Sequence, residues 1–101
     1  MHSIILALLV SCTCYSYGEP TSTTATGKKV SPAFIAVSRD VEKLFPMHTK
    51  VKLTCGNDVI YAQVEDRMHK KWTRRVDRFL PTKKQCRIFG IKKNCNLEMV
   101  K

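Results

Sequence analysis

Val51-Lys52-Leu53-Thr54-Cys55, then Gly56-Asn57-Asp58, then Val59-Ile60-Tyr61-Ala62-Gln63-Val64 is the stretch that decides the fold. Its first five residues alternate apolar and polar, as a half-buried strand does. Gly56-Asn57-Asp58 supplies a tight turn, and residues 59–64 return as a second strand, giving a hairpin in which Tyr61 is expected to face the core. Upstream, Phe34-Ile35-Ala36-Val37-Ser38 is a short apolar run with β-branched residues, a buried strand. Arg39 to Phe45 allows a single helical turn, with Val41, Leu44 and Phe45 on one side and Pro46 limiting it. Downstream, residues 75–80 read as extended, Pro81 opens a short helix over 82–89 that Gly90 stops, and residues 95–100 form a closing strand. Residues 19–32, rich in Thr, Ser, Pro and Gly, read as an irregular loop. Many short strands, one or two brief helices and no repeat predict a mainly β fold, a small β-barrel. The charged segment 65–75 is then a loop between strands, a natural ligand rim.

The chain has 101 residues, room for one domain, and a net charge of +10. Residues 1–18 contain no Lys, Arg, Asp or Glu, so every formal charge lies in 19–101. That balance implies an anionic partner: a wall polymer, a nucleic acid or an acidic membrane surface. Met1 to Val10 is an apolar run too short to span a bilayer. It reads as a signal-peptide core, with Ser16-Tyr17-Gly18 as the cleavage site, so 1–18 is expected to be a leader and 19–101 the exported domain. Leu9-Val10-Ser11-Cys12 also resembles a lipobox, which would anchor the chain through Cys12. Cleavage after Gly18 leaves Cys55, Cys86 and Cys95, enough for one disulfide and a spare thiol, with three pairings open. No Cys-x-x-Cys or paired His-Cys spacing points to zinc, and no cofactor is expected.

Val64-Glu65-Asp66-Arg67-Met68-His69-Lys70-Lys71-Trp72-Thr73-Arg74-Arg75-Val76-Asp77 carries the chemistry. It joins carboxylates that can carry a proton to a flat apolar ring that can stack on a sugar. Asp77 is the candidate acid and base. Acid catalysis favours a raised pKa, whereas Arg74, Arg75 and Arg78 nearby in sequence would push it down if they touched it. Asp66 is the candidate partner, supporting the ring charge or bonding backbone amides at a strand end. Asp40 reads as a helix cap. Trp72, Arg67, His69, Lys70, Lys71, Arg74 and Arg75 are the candidate substrate-binding set. Their charge would attract nucleic acid phosphates as readily as wall carboxylates.

The order Thr24-Ala25-Thr26-Gly27, Ile35-Ala36-Val37-Ser38-Arg39-Asp40, Phe45-Pro46-Met47-His48-Thr49-Lys50-Val51, Val64-Glu65-Asp66-Arg67-Met68, Arg75-Val76-Asp77 and Phe89-Gly90 resembles the three-aspartate ("3D") domain. That domain is similar to the rare lipoprotein A and expansin group and to the catalytic barrel of membrane-bound lytic transglycosylase A. The resemblance implies a six-stranded double-psi β-barrel with a groove for peptidoglycan, the three aspartates being Asp40, Asp66 and Asp77. Asp77 would hold the position of the lytic acid/base and Asp66 that of its partner. Such enzymes cut between N-acetylmuramic acid and N-acetylglucosamine and leave an anhydro end. Where they carry a Gly-rich stretch, this chain has Arg67 to Trp72, a bulky basic loop. The family's first strand ends in Thr-x-Tyr, and the match here, Val10-Ser11-Cys12-Thr13-Cys14-Tyr15, falls inside the apparent leader.

Three functions follow as expectations: an exported, monomeric peptidoglycan-cleaving domain, an expansin-like module that binds wall glycan without cutting it, and a cationic protein that binds any polyanion in a salt-dependent way.

Overall fold

A computed structural model describes residues 6–18 and 23–100. Met1–Ile5 of the expected leader core and residues 19–22 of the expected loop lie outside the described residues. The elements are β1 (Ala7–Ser16), β2 (Phe34–Val37), α1 (Arg39–Leu44), β3 (Lys50–Cys55), β4 (Asp58–Arg67), β5 (Arg75–Leu80), α2 (Lys83–Phe89) and β6 (Lys92–Met99). The strands close in the order β1-β5-β2-β4-β3-β6, with β6 returning to β1. Two neighbouring pairs, β1 with β5 and β2 with β4, run parallel, and the other pairs are antiparallel. Among the described residues, closure leaves no free sheet edge.

The predicted hairpin is β3–β4, its register running from Lys50 opposite Gln63 to Cys55 opposite Asp58. Gly56, at φ 60°, takes the first of the two turn positions, where positive φ is needed and a Cβ is costly. Side chains alternate along each strand, so Val51, Leu53, Ile60, Ala62 and Val64 fill the barrel with Val10, Cys12, Ile35, Val37, Val76 and Leu97. Tyr61 therefore faces outward, 66% exposed, because Ile60 and Ala62 on either side of it take the inner positions. The expected inward Tyr61 is corrected on that ground. Val41 of α1 and Phe45 just beyond it are wholly buried, and α2 contributes Phe89. α2 starts on a capping box, in which Thr82 Oγ1 accepts from the Gln85 amide and the Gln85 side chain accepts from the Thr82 amide.

β1 occupies residues read above as leader and closes the barrel by pairing with both β5 and β6. Its alternation supports this: Val10 and Cys12 point in, Thr13 and Tyr15 point out. With β1 present the cysteine arithmetic changes. Cys14 bonds Cys86 and Cys55 bonds Cys95, while Cys12 keeps a free thiol. The expected single disulfide among Cys55, Cys86 and Cys95 is thus replaced by two, one of which ties β1 to α2. The Cys12 side chain is fully buried in the core, and burial, followed by the Asp77 charge, pushes its thiol up to about 12. Within the folded barrel that sulfur offers nothing to a lipid anchor.

The expected loop over 65–75 starts later, because β4 runs on to Arg67. Ile35 pairs with Val64 but Ala36 pairs with Asp66, so Glu65 is an extra, bulged residue. A bulge re-aims the residues that follow it. Here it turns Glu65 inward, fully buried, and leaves Asp66 on the outer face.

Candidate functional site

The register lines up four residues across four adjacent strands. Asp66 of β4 lies opposite Ala36 of β2, Ala36 opposite Asp77 of β5, and Asp77 opposite Thr13 of β1. Asp66 and Asp77 are two strand spacings apart, roughly 10 Å between backbones, with Ala36, a small residue, between them in the register. Ala36 packs with Val30 and Phe79, joined by Met68 and Tyr17, in a small apolar cluster outside the main core. That cluster floors a groove of about 430 Å³ whose walls include Tyr15, Thr23, Asp66, Arg67, Met68, His69, Trp72 and Asp77. The two sequence-predicted carboxylates thus share one concave surface with the predicted tryptophan.

Asp77 is half-buried, and its Oδ1 accepts a 2.9 Å hydrogen bond from Thr13 Oγ1. Burial raises its carboxyl above the usual aspartate value; Thr13 and the Arg75 charge oppose the rise and the Asp66 charge adds to it. Arg75 stacks on Trp72 at 4.1 Å and Arg78 on Phe89 at 4.9 Å, and among the described residues neither forms a salt bridge with Asp77, so burial outweighs the Arg75 charge. Asp66 spends Oδ1 on two amides, Ala25 N–H at 2.9 Å and Arg67 N–H at 2.8 Å. It fixes the backbone at the end of β4 and fastens the Thr24–Gly27 turn beside the groove.

Glu65 is a functional neighbour of the site that the sequence does not single out, because it stands within a run of charged residues. Its carboxylate accepts from Thr26 Oγ1 (2.6 Å), Gln63 Nε2 (2.6 Å) and His48 Nδ1–H (2.9 Å), with Lys28 Nζ at 3.3 Å. Burial alone would push this carboxyl up, but the donors outweigh it and hold it at about 2. The interaction ties the 23–29 loop and the residues before β3 to the bulge that aims Asp66. Because its folded pKa lies below the ordinary 4.5, its contribution to stability is present above pH 4.5 and is lost as pH falls towards 2. Glu65→Gln, which leaves several donors without their acceptor, is expected to cost about 2 kcal/mol at pH 7 and to flatten acid unfolding below pH 4.5. Urea titrations at pH 7 and pH 3 check both.

The cationic loop 68–74 is shaped by Asp40, though not as the expected cap. Asp40 accepts from Ser38 Oγ (2.6 Å) and from the Arg74 amide (2.9 Å), while Ser38 Oγ accepts from the Arg75 amide (3.0 Å). Arg74 takes φ 47° there and lies by a separate depression with Val10 and Asn94. Trp72 sits between Lys71 (4.8 Å) and Arg75, a stack that stiffens the ring and gives it a positive rim. Arg67 borders the groove but forks onto Glu42, Nη2 to Oε2 at 2.7 Å. His69 reaches the groove and Lys70 stays exposed beside it. Of the expected binding set, Trp72, His69 and Arg67 therefore line the groove. Lys71 and Arg75 pack on the Trp72 ring, and Arg74 lies elsewhere. Tyr15, Thr13, Ala36 and Met68 complete the site; the Thr-x-Tyr pattern was the one signal for the first two.

This architecture is an expansin-like double-psi β-barrel. No family model and no curated protein sequence matches the chain. Among solved structures it is similar to an expansin of Clavibacter michiganensis. The unliganded form gives 20% identity and TM-score 0.67, covering 95% of this chain and 51% of that one. A mutant of the same expansin in complex with cellohexaose gives 16% identity, TM-score 0.67 and the same coverage. The chain thus spans about half the length of that expansin. It is also similar to the Streptomyces papain inhibitor, at 12% identity and TM-score 0.66, covering 95% of this chain and 96% of the other. At these identities the likeness is one of fold. Among the described residues no helix is long and apolar enough to cross a membrane, and no group of three or more His, Cys, Asp or Glu is placed to hold a metal.

Proposed function

We propose that the chain is an exported, monomeric wall-glycan-active barrel that holds a sugar chain across the Asp66–Ala36–Asp77–Thr13 row and cleaves it in the lytic transglycosylase manner. The observation that carries this is Asp77: a half-buried carboxyl raised by burial, lining the same open groove as Trp72 and, among the described residues, in no salt bridge. Protonated, Asp77 gives its proton to the glycosidic oxygen as that bond to C1 of the muramic sugar breaks. The sugar's own C6 hydroxyl closes on C1, and the Asp77 carboxylate takes the hydroxyl proton. One carboxyl group suffices, and no water is consumed.

Two disulfides support an oxidising compartment. Cleavage after Gly18 would remove β1, Thr13 and Tyr15 and open the barrel between β5 and β6, so β1 is retained in the exported form. A second reading, binding without cleavage, is favoured by Asp66, whose Oδ1 is committed to backbone amides rather than to a reacting group.

Incubation with peptidoglycan sacculi followed by mass spectrometry of the soluble fraction separates the two. Anhydro-muropeptides support the lytic reading; sedimentation with the sacculi and no soluble product leaves the binding module; neither result removes both. Papain inhibition, the activity for which the Streptomyces neighbour is named, is the control assay. Trp72→Ala is expected to weaken sedimentation with sacculi about tenfold, since a stacked aromatic at a groove wall carries a large share of the contact. A salt-matched binding isotherm measures it.

A further inference from the structure

A second depression, of about 490 Å³, lies on the other side of β1, between that strand and α2. Thr13, Ser16, Lys83, Arg87 and Ile91 line it together with the Cys14–Cys86 disulfide. Thr13 is the link: its side chain lines this depression and donates to Asp77, which lines the groove. Thr13 thus borders both the groove row and the depression, and α2 brings Lys83 and Arg87 to the depression's far side. The charge along this track is one-sided. Residues 78–97 contain Arg78, Lys83, Lys84, Arg87, Lys92 and Lys93 and no Asp or Glu. Lys83 and Arg87 are exposed, and neither is in a salt bridge among the described residues.

We infer that this depression is an anionic subsite, in which Lys83 and Arg87 hold a carboxylate substituent of the same glycan chain whose sugars lie over Asp77. The inference rests on the glycan reading above and adds to it a second contact, the place where the acidic substituents of that glycan, such as its peptide stems, are held. The apolar wall of Ile91 and the disulfide suits the carbon skeleton of such a substituent. The Cys14–Cys86 link ties α2, which carries both cations, to β1, whose Thr13 donates to Asp77.

The test is titration of the fluorescence of Trp72, the chain's one tryptophan, with three probes: soluble peptidoglycan strands with free stem carboxylates, the same strands after amidation of those carboxylates, and cellohexaose. The free-acid strands are expected to bind about tenfold tighter than the amidated ones. Lys83→Gln with Arg87→Gln is expected to erase that difference without changing affinity for amidated strands. Lys50→Gln with Lys52→Gln, which removes the same charge on β3, is expected to leave the preference in place. Equal affinity for both strand types, or an equal loss in the β3 pair, overturns the subsite while leaving the glycan groove standing. No response to any of the three probes overturns the groove and the subsite together.

Discussion

Asp77→Asn is expected to abolish release of anhydro-muropeptides, by at least about a hundredfold, while leaving the barrel as stable as the wild type or more so at neutral pH. Both halves come from one geometry. Asparagine keeps an oxygen at the position that accepts from Thr13 Oγ1, but it has no acidic proton to deliver. The stability half needs its sign worked out. The folded-state pKa of Asp77 is raised above 3.8, chiefly by burial, so the folded chain holds this proton more tightly than the unfolded one. The carboxyl's contribution is therefore greatest below pH 3.8 and is lost as pH rises through its folded value. At pH 7 the ionised, half-buried group opposes folding, and the amide removes that opposition. A variant that loses products through misfolding would instead show a lower Tm. Thermal melts at pH 7 beside product analysis separate the cases. The same sign predicts that cleavage by the wild type rises as pH falls towards the Asp77 pKa, while the Glu65 cluster, held at about 2, stays ionised.

Loss of the Cys14–Cys86 disulfide is expected to have the largest effect on stability. It closes a loop of 72 residues' separation, against 40 for Cys55–Cys95. In the chain-entropy account, a link of that span removes about 4 kcal/mol of unfolded-state freedom. It also anchors β1, the strand on which barrel closure depends, to the short helix α2. Cys14→Ala with Cys86→Ala should therefore lower Tm by well over 10 °C, given several degrees per kcal/mol in a domain of this size. Cys55→Ala with Cys95→Ala should cost slightly less by span alone, although both sulfurs leave a buried position. Denaturant titration of the two double variants ranks them. A smaller loss for the 14–86 pair than for the 55–95 pair would mean that β1 is held by its ladders and not by the link.

The β3–β4 hairpin was legible because its alternation and its glycine turn are local. So were α2, from Pro81, Thr82 and Gly90, and the short turn that Pro46 ends. β1 was hidden by composition, since Ala7 to Val10 reads equally as a leader core and as a strand, and closure is a property of partners far away in sequence. The face of Tyr61 was not legible because Val59, Ile60, Tyr61 and Ala62 are all apolar. Cysteine pairing followed from the same loss: without β1, Cys14 has no place. At the site, Asp77 and Trp72 were named from chemistry, and the structure puts both on one groove. What brings Asp66 into that row is the bulge at Glu65. A bulge leaves no mark in composition, and the surrounding cations disguised a buried carboxylate as part of a solvated charge run.

The central claim is that glycan lies across the Asp66–Ala36–Asp77–Thr13 row. Amide chemical-shift mapping of the labelled protein with soluble peptidoglycan strands tests it most directly. The account predicts shifts at Thr13, Tyr15, Ala36, Asp66, Trp72 and Asp77, with Lys52, Thr54, Val59 and Tyr61 on the outer face of the β3–β4 hairpin unmoved. Shifts concentrated on that hairpin face, with the row silent, would contradict it.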